Sequence, residues 1–201
     1  MHHNLAKKAA NICLNKDWIV FEQYDWCIYA FERRINAIPM FALALCIAVL
    51  TRKTAEVLSF LGSFIMLRRR IGGWHSKRAW GCQIISITVI LLALFLIGPN
   101  IETLDLQQIV LLDTLIILVC AAIRPIYPLQ LHFTDEVIAA NNKKKHYVLF
   151  VIVLIQMLSC ILKKYVILIY SFLGMSVALV ALVAEWINHY RKSSGMKSRG
   201  E

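Results

Sequence analysis

The sequence is poor in charged residues, which make up 17% of its 201 residues, against about 25% in a typical soluble domain. Internal repeats, low-complexity tracts and linkers rich in Pro, Gly or Ser are also lacking. The hydrophobic content of 59% is too high for a disordered or fibrous chain. Because the apolar residues occur in blocks, lipid is the expected solvent, and the sequence predicts a small integral membrane protein.

Six apolar segments predict an all-α protein with about six transmembrane helices, since a spanning helix needs roughly 20 apolar residues. These segments are Ala37–Thr51, Thr54–Leu67, Gln83–Gly98, Leu106–Ile123, Tyr147–Leu162 and Tyr165–Ile187. The first two are short and closely spaced, so they form either two thin spans or one re-entrant hairpin. Both alternatives return the chain to the side that it left, so the later topology is the same.

The distribution of basic residues predicts that the N- and C-termini are cytosolic. In this orientation only four of the 22 Lys and Arg residues lie outside, namely Arg52, Lys53, Lys163 and Lys164. The formal net charge of +10 also favours contact with anionic membrane lipid or an acidic peptide. Nucleic acid is not an expected partner, because no nucleic-acid-binding fold accompanies the charge.

The chain is expected to form one membrane-embedded domain over residues 1–190, followed by a disordered basic tail over residues 191–201. Residues 1–35 predict neither a signal peptide nor a span. Between Trp18 and Ile35, acidic residues recur at helical spacing opposite an aromatic surface. This pattern is typical of an amphipathic helix in the membrane interface, and a helix packed on the cytosolic ends of the bundle fits it equally well.

The six cysteines form no CxxC pair and do not alternate with His at metal-ligand spacing, so neither a metal nor a cofactor is predicted. Cys82 differs from the others because it ends a cytosolic segment, residues 68–82, that also contains His75 and five cations. Positive charge favours the thiolate, which is the nucleophilic form of cysteine. A nearby imidazole can accept the thiol proton and later donate it to a leaving amine.

Geometry constrains this pair. A straight helix would hold His75 and Cys82 about 10.5 Å apart along its axis, whereas a nucleophile and its base need a separation of about 3 Å. A catalytic pair therefore requires the chain to fold back between them, and Gly81 is the expected place for the turn. From the residues alone, the alternative is a positive-inside loop that happens to contain a cysteine.

The segment resembles the signature of the accessory gene regulator B (AgrB) family, membrane endopeptidases of bacterial quorum sensing. The family pattern has an Arg pair, a Gly-rich step, a His, and a Cys seven residues after the His. Here the matching residues are Arg68-Arg69, Gly72-Gly73, His75 and Cys82. A second basic cytosolic loop, which includes Lys143–Lys145, resembles the family only loosely.

This resemblance implies a cysteine endopeptidase that cleaves a short AgrD-type precursor peptide on the cytosolic side of the bacterial cell membrane. By matching the family pattern, Cys82 would be the nucleophile and His75 the general base. The N-terminal part of the precursor would be held as a thioester on Cys82 and then released as a cyclic thiolactone or lactone signal peptide. Arg68 and Arg69 would hold an acidic stretch of the precursor or a lipid phosphate, and Gly73 would serve the turn. The family also suggests a homodimer.

The residues admit two other functions. A small peptide transporter or permease subunit would use Asp113, an ionisable residue within a span that is expected either to pair with a polar partner or to shape a path for the peptide. A non-enzymatic membrane adaptor would use the basic loops for docking. No third catalytic residue is assigned: Asp135 and Glu136 lie on the correct side, and Glu185 is expected to pair with a loop Arg or Lys.

Overall fold

The computed structural model describes residues 2–73, 79–127 and 134–197. Every named element in that part of the chain is helical, which confirms the all-α prediction. The α-helices are α1 (His2–Asn15), α2 (Tyr24–Leu50), α3 (Thr54–Ile71), α4 (Ala79–Leu92), α5 (Gly98–Ile101), α6 (Leu106–Ala122), α7 (Asp135–Ile161) and α8 (Tyr165–Lys197). A 3-10 turn at Phe21–Gln23 precedes α2, and a π-helical turn at Ala93–Ile97 joins α4 to α5.

Four helical segments of the described chain are long and apolar enough to cross a membrane, and α6 is apolar but has only 17 residues. The four are Phe21–Leu50, Gln83–Ile101, Asp135–Ile161 and Tyr165–Tyr190. α3 includes the predicted second span, but Glu56 near its start and three arginines at its end make it more polar than these four segments. The structure therefore supports a multi-pass membrane protein with four to five spanning helices, where the sequence predicted six.

Large apolar side chains cover the outward faces of these helices. Leu111 is 71% exposed, Phe150 63% and Val180 68%. Soluble monomers rarely expose contiguous apolar patches larger than a few hundred Å². Lipid is therefore the solvent that this surface requires.

The N-terminal region forms a helical hairpin of α1 and α2. Ala6 and Ala10 of α1 are fully buried against Cys27 and Ile28 of α2. Small side chains on α1 let the two helix backbones approach closely. The aromatic residues between and beside these helices, Trp18, Phe21 and Trp26, are exposed, as a helix in the membrane interface requires.

Two helices continue past the ends that the sequence predicted. The interfacial helix over residues 18–35 and the span from residue 37 were expected to be separate, but α2 runs unbroken from Tyr24 to Leu50 with Pro39 inside it. A membrane helix tolerates such a proline because neighbouring groups satisfy the freed carbonyl. α8 extends through Lys197, into the tail predicted to be disordered.

The bundle is built on close contact between α3 and α8. One face of α3 is buried at helical spacing, through Val57, Phe60, Ser63, Leu67 and Ile71. Gly174 of α8 lies against this face, where a Cβ would overlap the Ser63 hydroxyl and the Phe60 carbonyl oxygen. A glycine at the contact lets the two backbones meet, as is common between membrane helices. This packing fixes the position of the arginine-rich end of α3.

Candidate functional site

α3 ends in three consecutive arginines followed by two glycines with positive φ. The φ angles are +82° at Gly72 and +123° at Gly73, values that side chains with a Cβ rarely adopt. The Gly72 N–H donates to the Arg68 carbonyl oxygen at 3.0 Å, which closes the last turn of the helix. The glycine pair therefore ends α3 and redirects the chain.

Ile126, in the segment after α6, pairs with this turn through two backbone hydrogen bonds. The Ile126 N–H donates to the Ile71 carbonyl oxygen at 2.9 Å, and the Gly73 N–H donates to the Ile126 carbonyl oxygen at 3.2 Å. A Cβ on Gly72 would overlap that Ile126 oxygen and lie 2.8 Å from its carbonyl carbon. The pairing is therefore possible only because residue 72 is glycine.

Gly73 lies against α8. A Cβ at this position would be 3.1 Å from the carbonyl carbon of Ala181 and 3.3 Å from its Cβ. The glycine turn is thus held on one side by Ile126 and on the other by α8. The expectation that Gly73 serves a turn agrees with its backbone conformation, whereas any part in catalysis stays a prediction.

Arg70, which the sequence indicated only as a topology anchor, connects several elements. Its Nη1 donates to Asn141 Oδ1 on α7 at 3.1 Å, and its carbonyl oxygen accepts from the Tyr127 hydroxyl at 2.6 Å. The His189 Nε2 lies 3.3 Å from the Tyr127 carbonyl oxygen, to which it can donate. Burial raises the pKa of Tyr127 to about 12, although the Arg70 charge lowers it. The Tyr127 hydroxyl therefore keeps its proton at neutral pH and remains a donor.

Arg68 and Arg69 have different surroundings. The Arg68 guanidinium lies 5.4 Å from the centre of the Phe64 ring, within range of a cation–π interaction, and its side chain is half-buried. Arg69 is exposed. An exposed guanidinium at a helix end can bind a carboxylate or a phosphate with two parallel hydrogen bonds.

Cys82 is the fourth residue of α4 and lies in its first turn. Gly81 is inside the same helix, so the expectation that the chain turns at Gly81 is wrong. The glycine turn at Gly72 and Gly73 precedes His75 and is a different turn. A glycine within a helix costs only about 1 kcal/mol relative to alanine, which the rest of the helix can offset. His75 lies outside the described residues, so its proximity to Cys82 stays a prediction.

The second basic segment belongs to a helix and not to a loop, because Lys143–Lys145 fall within α7. Lys145 is 1% exposed, and its Nζ donates to the carbonyl oxygens of Ala121 at 2.8 Å and Ile123 at 2.6 Å. Carbonyls at the end of a helix lack partners within that helix. Lys145 therefore caps α6, whereas its two lysine neighbours are exposed.

A buried polar cluster links α6, α7 and α8 inside the bundle. The Gln156 Nε2 donates to Asp113 Oδ1 at 2.9 Å and lies 3.2 Å from the Ser171 hydroxyl. All three residues are at most 5% exposed. The expectation that Asp113 has a polar partner in the bundle is confirmed, and such hydrogen bonds stabilise helix association in membranes.

The described ranges contain no group of three or more His, Cys, Asp or Glu side chains arranged to hold a metal ion. The cysteines whose side chains are described are all free thiols: Cys13, Cys27, Cys46, Cys120 and Cys160.

These observations define a multi-pass helical membrane protein in which an arginine-rich helix end, a glycine turn and a cysteine-bearing helix follow one another. The family model described as Accessory gene regulator B matches residues 6–186, and the chain belongs to this family. Membership implies a membrane protein involved in processing the AgrD propeptide for quorum sensing. Neither the curated proteins nor the solved structures include a match to this chain.

Proposed function

We propose that this chain is a membrane cysteine endopeptidase that cleaves an AgrD-type precursor and releases a cyclic signal peptide. Cys82 is the nucleophile and His75 the general base. The observation that carries the proposal is the position of Cys82 in the first turn of α4, shortly after a glycine turn and three arginines. Helix N-termini and nearby cations favour the thiolate form of cysteine, which supports this role.

The first step converts an amide into a thioester. The Cys82 sulfur attacks the scissile carbonyl carbon of the precursor while His75 takes the thiol proton. The carbon–nitrogen bond then breaks, and the imidazolium gives its proton to the leaving amine. The C-terminal part of the precursor departs, and the remainder stays on Cys82 as a thioester.

The second step closes the ring. A thiol or hydroxyl within the bound part of the precursor attacks the thioester carbonyl, the carbon–sulfur bond breaks, and the product is a thiolactone or lactone. The proton of the attacking group passes through His75 to the Cys82 sulfur. A thioester conserves much of the acyl energy of the amide, and a nucleophile held next to it outcompetes water in a shielded site.

The arginines at the end of α3 suit recognition of negative charge. Arg69 is exposed and is proposed to bind an acidic stretch of the precursor, with Arg68 beside it. Anionic lipid headgroups offer the same chemistry and are proposed as a second partner. The positive-inside rule supports a site on the cytosolic side of the bacterial cell membrane, and the family relation supports a homodimer.

Co-expression with a candidate precursor, followed by mass spectrometry of the peptide products, tests the proposal. Cys82→Ala and His75→Ala are each expected to abolish cleavage while the protein still inserts into the membrane. Cys46→Ala is a matched control because Cys46 is an exposed free thiol on α2, and it is expected to cleave normally. Normal cleavage by Cys82→Ala would exclude the proposed mechanism.

A further inference from the structure

Two cysteines that take no part in the proposed reaction meet at the contact between α1 and α2. Ala6, Ala10 and Cys13 recur at helical spacing along one face of α1. Cys27 faces them from α2, because it belongs to the buried cluster that contains both alanines and against which Cys13 packs. A hydrogen bond joins the Cys27 thiol to the Cys13 sulfur. The two sulfurs are therefore direct neighbours on facing helices.

The helical hairpin holds the two sulfurs in this position. The Tyr24 hydroxyl donates to Asn11 Oδ1 at 2.6 Å, which connects α2 to α1 within three residues of each cysteine. The Trp18 N–H donates to the Cys13 carbonyl oxygen at 3.0 Å, where the chain leaves α1. These two hydrogen bonds set the register of the helices on either side of the cysteine pair.

The two thiols differ in their access to solvent. Cys13 is half-buried, whereas Cys27 is only 6% exposed. Both are free thiols, as is usual on the cytosolic side, where the basic residues predict α1 to lie and where cellular thiols keep cysteines reduced. A thiol that solvent can reach, next to a buried one, is the arrangement of a redox-sensing cysteine and its resolving partner.

We propose that Cys13 and Cys27 form a redox-modification site, in which hydrogen peroxide converts the two thiols into a reversible disulfide between α1 and α2. The Cys13 sulfur attacks one peroxide oxygen, the oxygen–oxygen bond breaks, and the leaving oxygen takes the thiol proton, giving a Cys13 sulfenic acid and water. The Cys27 sulfur then attacks the Cys13 sulfur. The sulfur–oxygen bond breaks, and the hydroxyl leaves with the Cys27 proton as a second water.

The modification would tie α1 covalently to α2, because Cys27 is the fourth residue of that helix. Two equivalents of a small cellular thiol reduce the disulfide again by thiol–disulfide exchange and are themselves oxidised. The inference does not depend on the proposed peptidase activity, since neither Cys82 nor His75 takes part in either step.

Peroxide treatment of the reduced full-length protein in lipid vesicles tests the inference. Remaining thiols are blocked with N-ethylmaleimide, and tryptic peptides are analysed by mass spectrometry without reduction. Cleavage after Lys8, Lys16 and Arg33 places the two cysteines on separate peptides, residues 9–16 and 17–33. The disulfide then appears as one linked species that dithiothreitol separates, and we expect the link to form within single chains on a non-reducing gel.

Two variants test the roles of the cysteines. Cys27→Ala removes the resolving thiol, so the Cys13 sulfenic acid is expected to persist and to be captured by dimedone. The matched control moves the reacting thiol by one residue, in the double variant Cys13→Ala with Ile12→Cys. Ile12 is 55% exposed, so this thiol lies away from α2, and its link to Cys27 is expected to form at least about tenfold more slowly.

Several results would overturn the inference. One is a Cys13 sulfenic acid that accumulates in the wild type without a link to Cys27, and another is a protein in which peroxide modifies neither cysteine. Links formed only between two chains would overturn it as well. Equal rates of linking in the wild type and in the double variant would show that the reaction does not depend on the contact in the hairpin. If Cys27→Ala does not fold, Cys27→Ser decides by the same dimedone readout.

Discussion

Replacement of Gly72 by alanine is expected to destabilise the protein by about 3–5 kcal/mol. The backbone at Gly72, with φ +82° and ψ −143°, costs a residue with a Cβ about 1–3 kcal/mol. That Cβ would also overlap the carbonyl oxygen of Ile126. Ile126 must then move, which weakens its hydrogen bonds to Ile71 and Gly73, each worth about 1 kcal/mol.

Thermal unfolding of the purified protein in detergent measures this loss, and precursor cleavage provides a second readout. Gly62→Ala is the matched control, because Gly62 lies within α3 and a new Cβ there would meet nothing within 4 Å. Alanine favours the helix, so Gly62→Ala is expected to be neutral or stabilising by up to about 1 kcal/mol. Equal stabilities of Gly72→Ala and Gly62→Ala would refute the close pairing of Gly72 with Ile126.

Two further predictions concern buried polar groups of the bundle. Lys145→Met is expected to lower the free energy of unfolding by about 2–3 kcal/mol, because two carbonyls at the end of α6 lose a charged donor. Lys144→Met, at its exposed neighbour, should have almost no effect in the same thermal unfolding assay. Asp113→Asn keeps an acceptor for Gln156 and is expected to change stability by less than about 1 kcal/mol with cleavage intact, whereas Asp113→Leu should cost about 1–3 kcal/mol. Loss of peptide flux in Asp113→Asn with intact cleavage would instead favour a transporter.

Much of the fold could be predicted because membrane helices are long apolar runs that a single sequence displays directly. α6 begins at Leu106 and α8 at Tyr165, where hydropathy placed them. The sequence predicted an interfacial helix ending at Ile35 and a separate span from Ala37, but α2 runs unbroken through this boundary, and a membrane helix tolerates Pro39 inside it. α3 can carry several charged residues because they lie near its two ends, while the face between them is buried against α8.

The site was only partly predictable. The glycines at positions 72 and 73 signalled a flexible backbone, but Gly81, closer to the cysteine, gave the same signal in the sequence. Gly81 falls inside α4. The turn at Gly72 and Gly73 is held by Ile126 and Ala181, which come from segments far along the chain. Without a second sequence or a structure, no local pattern reveals such contacts.

The buried lysine illustrates the same limit. Lys143, Lys144 and Lys145 are chemically equal in the sequence, and their charge suggested a solvated loop. Once they are part of α7, successive side chains point about 100° apart, so only one of them can face the end of α6. The helical register, and not the composition, selects Lys145.

The central claim is that Cys82 holds part of the precursor as a thioester, and intact-protein mass spectrometry tests it most directly. The full-length protein in lipid vesicles is incubated with a precursor whose ring-closing cysteine or serine is replaced by alanine, so that the intermediate accumulates. The account predicts an added mass equal to the N-terminal part of the precursor, located on Cys82, removed by hydroxylamine and missing in Cys82→Ala. Wild-type protein that cleaves this precursor without any adduct, or Cys82→Ala that cleaves it at the wild-type rate, would contradict the account.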